Sequence, residues 1–423
     1  MNYEEALAYI HNVEWYGKKP GLHRMLWLLD KMGNPHKGLK FVHVAGTNGK
    51  GSTCSMISSV LKEAGYKTGM FTSPYIHVFN ERMQINGQMI SNEELVEIVE
   101  FVKIFIDEIE EKPTVFEIIT LIGMEYFKRH QCDIVVLEVG IGGLLDSTNV
   151  IESKEVAVIT SIGFDHTGML GTTIEEIAEQ KAGIMKENTD VVFWNRDEAA
   201  AKVVKENCER THSTLYVPDY EALKSVSIDL TGQTFDYKNY KNLYIPLVGS
   251  YQLENAAIAL TAIEVLQKKG YGIEENHIYE GLREAGWVGR FEVISKEPVI
   301  IVDGSHNPPG MKATAESLRT HFKEEKIIFL IGVMADKELD EMLPYILPLA
   351  KEFLTVTPDN PRAMKAEKLA EYLRSHDAKA ESFETVEEAC KEAVKRAEKS
   401  GVVCALGSLY LVDEVSKAMQ KLR

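Results

Sequence analysis

The run Gly46-Thr47-Asn48-Gly49-Lys50-Gly51-Ser52 lies between a short apolar segment, "FVHVA", and a helix-patterned one, "STCSMISSVLKEAGY". Its three glycines let successive backbone amides turn inward without a Cβ in the way. Amides so arranged ahead of a helix N-terminus make an anion site. Lys50 adds a point charge for outer phosphates, and Ser52 and Thr53 offer hydroxyls to phosphate or metal oxygens. The spacing departs from the common G-x-x-x-x-G-K-[ST] loop. Val44 occupies the place of its first glycine, and Gly51 follows the lysine. The plain alternative is a glycine turn with a solvated lysine. Strand, glycines, lysine, hydroxyls and helix in that order favour phosphate binding.

Other residues sit where strands end. Glu138 interrupts the apolar run "DIVVLEVG" near its carboxyl end, the edge at which open parallel sheets bind ligands. A carboxylate there suits the magnesium that bridges ATP phosphates; a buried or rim glutamate paired with a base is the alternative. Asp165 and His166 follow "EVAVITSIG", and such a pair can ligate a metal and orient its ligand. Lys181, in "TIEEIAEQKAGIMK", reads by itself as a solvated helix lysine. Arg290, in "GWVGRFEVI", could clamp a transferring phosphoryl group. Asp303, His306 and Asn307 close the apolar run "PVIIVDGSHN". Gly140, Gly142 and Gly143 fail the dinucleotide spacing, and His11, His23, His36 and His130 read as surface or packing histidines.

The elements that must position these residues alternate along the chain. Continuous apolar runs at "KFVHVAG", "YKTGMFTSP", "CDIVVLEVG", "EVAVITSIG" and "DVVFWN" are separated by amphipathic stretches. That is the pattern of a parallel sheet covered by helices. From about Ser213 to Val248 the segments "TLYVP", "VSIDL" and "TFDYKNYKNLYIPLVG" alternate and carry aromatics, which predicts a small antiparallel sheet. Strand–helix alternation restarts at "PVIIVDGSHN", with "ELDEMLPYILPLA" among its helices. The fold expected is α/β. A P-loop parallel-sheet ATPase domain with a small antiparallel β subregion spans 1–295, and a smaller Rossmann-like α/β domain spans 298–423.

Composition narrows the partners. The chain has 423 residues, 45% hydrophobic and 26% charged, with a formal charge of −17. Acidity at that level argues against nucleic acid and anionic membrane, which need basic surface, but leaves room for an anionic small molecule at a local positive site. No apolar run approaches the length of a membrane span, and the acidic start "MNYEEALAYIHN" lacks a signal-peptide core. The five cysteines are scattered without CxxC spacing, as expected for idle thiols in a reducing cytoplasm. With no oligomer signal, a monomer is expected.

Taken together, "GTNGKGS", "TSPYI" with "FNERM", "EVGIGG" with "DSTN", "GFDHTGMLG" with "EIAEQKAGIMK", "YQLENAAIAL", "GWVGRFE", "DGSHNPPG" and "GSLYL" resemble the folylpolyglutamate synthases and dihydrofolate synthases. These sit within the muramyl-ligase-like superfamily of ATP-dependent amide ligases. The motifs span nearly the whole chain, and GTNGKGS and Thr72-Ser73-Pro74 belong to the folate branch. The resemblance implies that Gly46 to Ser52, with Thr47, Asn48, Gly49, Lys50 and Gly51, hold ATP phosphates. Asn255 would contact adenine and Asp303 the ribose, with Arg290 and His306 on the phosphates. Ser73, Glu138 and His166 would ligate Mg2+, and Lys181 would be the lysine often found carbamylated. A monovalent cation is a further implied cofactor. Arg82 and Ser408 would meet the folate carboxylates and the incoming glutamate.

The implied substrates are a folate or dihydropteroate, L-glutamate and ATP. The reaction would be ligation through an acyl phosphate, with two domains closing to exclude water. Leu144 and Tyr251 stand where the family often has arginine and histidine, which bears on substrate preference. The rival readings are a muramyl-peptide ligase of the same superfamily, which would lack "TSPYI" and "FNERM", and a non-catalytic ATP-binding switch, which would leave His166, Lys181 and "DGSHN" without a task.

Overall fold

The computed structural model describes residues 1–12 and 21–422. The chain forms two compact units, one of Met1–Leu223 with Glu254–Ala285, the other of Lys224–Leu253 with the chain from Gly286 onward. Among the described residues the first unit is built on eight strands: β1 Phe41–Ala45, β2 Thr68–Phe71, β3 Met83–Ile85, β4 Gln88–Met89, β5 Ile134–Glu138, β6 Val156–Ile159, β7 Asp190–Phe193 and β8 Thr214–Tyr216. They lie in the order β4-β3-β2-β5-β1-β6-β7-β8. Pairing is parallel from β2 to β8, while β3 and β4 pair antiparallel at one edge.

Strands β1, β5 and β6 are buried along their whole length, as a sheet covered on both faces requires. One core packs Phe41, Phe71, Val135 and Leu137 against Leu28, Leu95, Ile98, Ile122 and Phe127. A second packs Ala157, Ile159, Val191 and Phe193 against Ile177, Ala182, Ala200 and Val204. β1 feeds the helix Lys50–Glu63 through the glycine loop. The helix Ile174–Ala182 starts on a Thr173–Glu176 capping box and carries Lys181 in its last turn.

The second unit holds an antiparallel sheet of β9 Leu223–Asp229, β10 Gly232–Tyr237 and β11 Tyr240–Ile245. It also holds six strands: β12 Glu292–Lys296, β13 Val299–Val302, β14 Ile327–Ile331, β15 Ala350–Thr355, β16 Ala380–Ser382 and β17 Val402–Leu406. Their order is β12-β13-β17-β14-β15-β16, with only β12 antiparallel. Phe291, Ile301, Phe329, Phe353 and Leu406 centre its core.

Three local expectations are revised. The joint expected between 295 and 298 falls inside the second unit, because β12 and β13 pair across it and a ladder holds its two strands together. The three-stranded sheet groups with that unit, whereas "TLYVP" supplies β8 of the parallel sheet by pairing with β7. "ELDEMLPYILPLA" is a short helix, Leu339–Met342, followed by two 3-10 turns. Pro344 and Pro348 bring no amide proton to continue a helix. Among the described residues no helix is long and apolar enough to cross a membrane.

Candidate active site

The glycine loop is braced by the turn that follows β6. The Thr47 amide donates to Ser161 O at 2.7 Å, and its hydroxyl donates to Gly163 O at 3.0 Å. The Thr160 and Ser161 hydroxyls donate to Asn48 O at 2.7 and 3.2 Å. Gly46 has φ +152° and Gly49 φ +84°. A Cβ on Gly46 would lie 1.8 Å from Thr160 Oγ1, and one on Gly49 would lie 2.4 Å from Asn255 Oδ1. Both glycines are therefore dictated by neighbours as well as by backbone sign. Gly49 caps the helix Lys50–Glu63 with no side-chain hydrogen bond, so the amide end is not closed by a capping side chain. Lys50 folds back over the loop, donating to Gly46 O at 3.0 Å and Thr47 O at 3.1 Å.

Glu138 ends β5 and is 3% exposed. Its Oε2 accepts the Ser73 amide at 3.0 Å, and the Ser73 hydroxyl accepts from Arg82 Nη1 at 3.0 Å. The Arg82 guanidinium lies over the Tyr75 and Phe79 rings. Three of the expected residues, Ser73, Arg82 and Glu138, are thus joined in one line. Asp165 Oδ1 accepts the His166 amide at 2.9 Å, and His166 has φ +51° at the start of the short helix Thr167–Leu170. Among the described residues no group of three or more His, Cys, Asp or Glu side chains could hold a metal. A cation here would take oxygens from Glu138, Ser73 and bound phosphate, as small hard cations do.

Lys181 is 3% exposed, which overturns its reading as a solvated lysine. The C-terminal end of its helix is covered by the glycine turn after β5, where the Leu144 amide donates to Gln180 O at 2.8 Å. Burial, with Lys50 nearby, pulls its amine down from 10.5 to about 7, against the opposing charges of Asp165 and Asp146. Lys181, Lys50, Asp165 and Asp146 therefore share one electrostatic neighbourhood.

A cavity of about 400 Å³ opens beside this cluster. Phe116, Ile141, Leu145, Met169 and Leu170 give it apolar walls, and Arg24, Ser73, Glu117 and Asp146 supply polar ones. Arg24 and Glu117 pair inside the protein, with Nη2 3.0 Å from Oε1. Asp146 accepts the Gly140 and Ile141 amides on one oxygen, at 3.1 and 3.0 Å, and Thr148 on the other. Sequence reasoning assigned no task to Asp146, Arg24 or Glu117. Asp146 had a local signal, an Asp-Ser-Thr turn after paired glycines. Arg24 and Glu117 lie 93 positions apart, and nothing in the linear pattern joins them.

In the second unit, Asp303 is 1% exposed and heavily bonded. One oxygen accepts the Ser305 amide and hydroxyl and the Thr314 hydroxyl; the other accepts the Phe291 amide at 2.7 Å and the Tyr251 hydroxyl at 3.2 Å. A Cβ on Gly304 would lie 2.1 Å from Arg290 Nη1, so the guanidinium rests over that glycine. His306 Nδ1 is 2.7 Å from Gly304 O. Asn307 caps the helix Pro308–His321 by accepting the Gly310 amide. Ser408 is buried, with its hydroxyl accepting the Tyr410 amide at 3.2 Å. Arg290, Asp303 and His306 are thus one local cluster, and Ser408 starts the last helix.

Comparison with known proteins gives this geometry a class. The Mur ligase middle domain matches residues 44–263, and the Mur ligase glutamate ligase domain matches 289–409. Sheet, loop and domain order define an ATP-dependent, amide-bond-forming ligase of that type. The dihydrofolate synthase/folylpolyglutamate synthase of Bacillus subtilis (strain 168) is 36% identical over 435 residues, 99% of either chain. Folylpolyglutamate synthase from Thermotoga maritima aligns with a TM-score of 0.86 at 32% identity, over 100% of this chain and 97% of that one. Escherichia coli FolC in complex with DHPP and ADP aligns at 0.88 and 29%, over 100% and 99%. The chain belongs to the folylpolyglutamate synthase/dihydrofolate synthase family.

Proposed function

We propose that the chain uses ATP to join L-glutamate to a folate-type carboxyl. The acceptor is the γ-carboxyl of a (tetrahydro)folyl-glutamate, and dihydropteroate serves as a second acceptor. The observation that carries this reading is the Thr47–Ser161-braced glycine loop standing with buried Glu138, in a chain matched end to end by a relative named for both activities.

The acceptor carboxylate attacks the γ-phosphorus of ATP, forming an acyl phosphate and releasing ADP. The amine of glutamate then attacks the acyl carbon, phosphate leaves and the amine loses a proton. The loop amides and Lys50 hold the phosphates, and the Lys50 charge offsets the equatorial oxygens during transfer. Gly46, Thr47, Asn48, Gly49, Gly51, Ser52 and Asn255 complete the nucleotide contacts of the first unit. Arg290 and His306 add their charge and hydrogen bonding to the phosphates. Asp303 holds Phe291 and Ser305 on either side of that pair, a bracing task in addition to the ribose contact. Ser408 serves the incoming glutamate.

The carboxylate of Glu138 and the hydroxyl of Ser73 are hard oxygen donors that fit Mg2+, with His166 as the nitrogen ligand. Magnesium there would neutralise phosphate charge. A lysine amine titrating near 7 is unprotonated often enough to add to CO2. A new N–C bond then forms, a proton leaves, and Lys181 becomes a carbamate anion. The cavity walled by Phe116, Ile141, Leu145, Met169 and Leu170 has the size and apolar lining that a flat heteroaromatic acid needs, with Arg82 toward its carboxylates. The protein acts as a cytoplasmic monomer in this reading.

ADP release tests the reading. It should require a folate or dihydropteroate together with L-glutamate. Release that depends instead on a UDP-linked peptide would move the chain to the muramyl-peptide ligases.

A further inference from the structure

His43 stands on β1, three residues ahead of Gly46, and is fully buried. Both ring nitrogens are engaged: Nε2 lies 2.9 Å from Thr148 Oγ1, and Nδ1 lies 2.9 Å from Lys154 Nζ. Lys154 is 8% exposed and also donates to Ile184 O. At the other end of the line, the Thr148 amide and hydroxyl both meet Asp146 Oδ1, the amide at 3.0 Å. Asp146 Oδ2 takes the Gly140 and Ile141 amides of the cavity wall. A buried lysine and a buried histidine are costly to keep, and the chemistry above uses neither.

Proton counting gives this line a direction. Burial pushes the Asp146 carboxyl up, while the Thr148 hydroxyl and the Ile141, Thr148 and Gly140 amides pull it back. Three amide donors leave its oxygens as acceptors, so the single proton of the Thr148 hydroxyl points at Asp146. Thr148 Oγ1 must then accept from His43, which places the ring proton on Nε2. Nδ1 is left as an acceptor, and Lys154 fills it; burial pulls the Lys154 amine well below the usual lysine range, and the neutral amine and the ammonium both carry an N–H to give. Burial, with Lys154 and Lys186 nearby, pushes the His43 ring well below its usual range, which keeps it in the neutral state with one donor and one acceptor nitrogen. Hydrogen bonds in such a chain strengthen one another.

We propose that Lys154, His43 and Thr148 form a positioning relay that fixes Asp146 as the acceptor-only anchor of the Gly140–Ile141 wall of the cavity. The relay sets how tightly the folate-type acceptor is held, and in that respect it rests on the reading of the cavity as the acceptor site. It leaves the phosphate loop untouched.

Two arms test it. In 15N-histidine NMR, with the resonances assigned by His43→Phe, the His43 ring should be neutral and protonated on Nε2. Thr148→Val should raise the acceptor KM about tenfold while the ATP KM and kcat stay within about twofold. Thr148→Ser, which restores the hydroxyl, should return the acceptor KM to within about twofold of the parent. The double variant Thr148→Val/His43→Phe should be no worse than Thr148→Val alone, because one line is broken once, whereas independent packing defects add. A ring protonated on Nδ1, or on both nitrogens, would overturn the relay. So would an equal rise in the ATP and acceptor KM, or additive losses in the double variant. Should Thr148→Val fail to fold, His43→Phe carries the kinetic arm with the same expected tenfold rise. The NMR arm needs no substrate, so a correct tautomer in a protein that ligates nothing would fault the proposed function and leave the relay standing.

Discussion

Replacing Lys181 with methionine removes a buried amine while keeping most of its volume, and the consequence for stability follows from one proton. The Lys181 amine titrates at about 7 in the fold instead of 10.5. Between those values the unfolded chain binds one more proton than the folded chain. Wild-type stability therefore rises with pH across that window, and the full cost of burial is felt below pH 7. At 1.36 kcal/mol per pH unit, the gap of about 3.5 units sets an upper bound of ~5 kcal/mol, which water penetration into the site reduces. Lys181→Met carries no such cost. In urea unfolding, in CO2-free buffer so that the amine stays unmodified, it should exceed the wild type by about 2–4 kcal/mol at pH 7. The difference should shrink with rising pH and close near 10.5. Ligase activity should fall at least about 100-fold in the same variant, because neither amine nor carbamate remains. A stability difference that stays flat from pH 7 to 10 would refute the argument, since it would mean that the amine keeps its proton inside the fold.

Three further outcomes follow. Lys50→Ala should lower kcat by about 100- to 1,000-fold with a melting temperature near that of the wild type, checked by steady-state kinetics and calorimetry. Gly49→Ala forces a Cβ onto a backbone at φ +84° and to within 2.4 Å of Asn255 Oδ1. Left-handed strain of about 1–2 kcal/mol should raise the ATP KM roughly tenfold, and an unchanged KM would contradict the loop packing. Stripping CO2 and bicarbonate from the buffer should lower turnover reversibly, and 13C-bicarbonate should label a carbamate carbon that is absent in Lys181→Met.

The glycine loop between β1 and its helix was legible because the device is local: a strand, glycines, a lysine and a helix within a few turns of chain. The place of Glu138 at the end of β5 was legible for a similar reason, as one carboxylate in an apolar strand. Lys181 was not, since it is buried in a neighbourhood shared with Lys50, Asp165 and Asp146, residues that only the fold brings together. Read alone, its helix position predicted solvent. The Arg24–Glu117 pair and the His43–Lys154 contact join residues 93 and 111 positions apart, which no spacing rule reaches. The unit boundary was misplaced because the chain enters the second unit for Lys224–Leu253, returns for Glu254–Ala285 and enters it again at Gly286. A linear reading sees one uninterrupted domain there. Pro344 and Pro348 were visible all along, and their missing amides outweighed an amphipathic pattern that suggested one helix.

Weighing the product tests glutamate ligation itself. Purified protein, ATP, magnesium and L-glutamate are mixed with a tetrahydrofolyl-glutamate or with dihydropteroate, and each acceptor is analysed by mass spectrometry. An acceptor heavier by one glutamyl unit is expected for each ADP released. Acceptors of unchanged mass, with ATP consumed or not, would contradict that ligation.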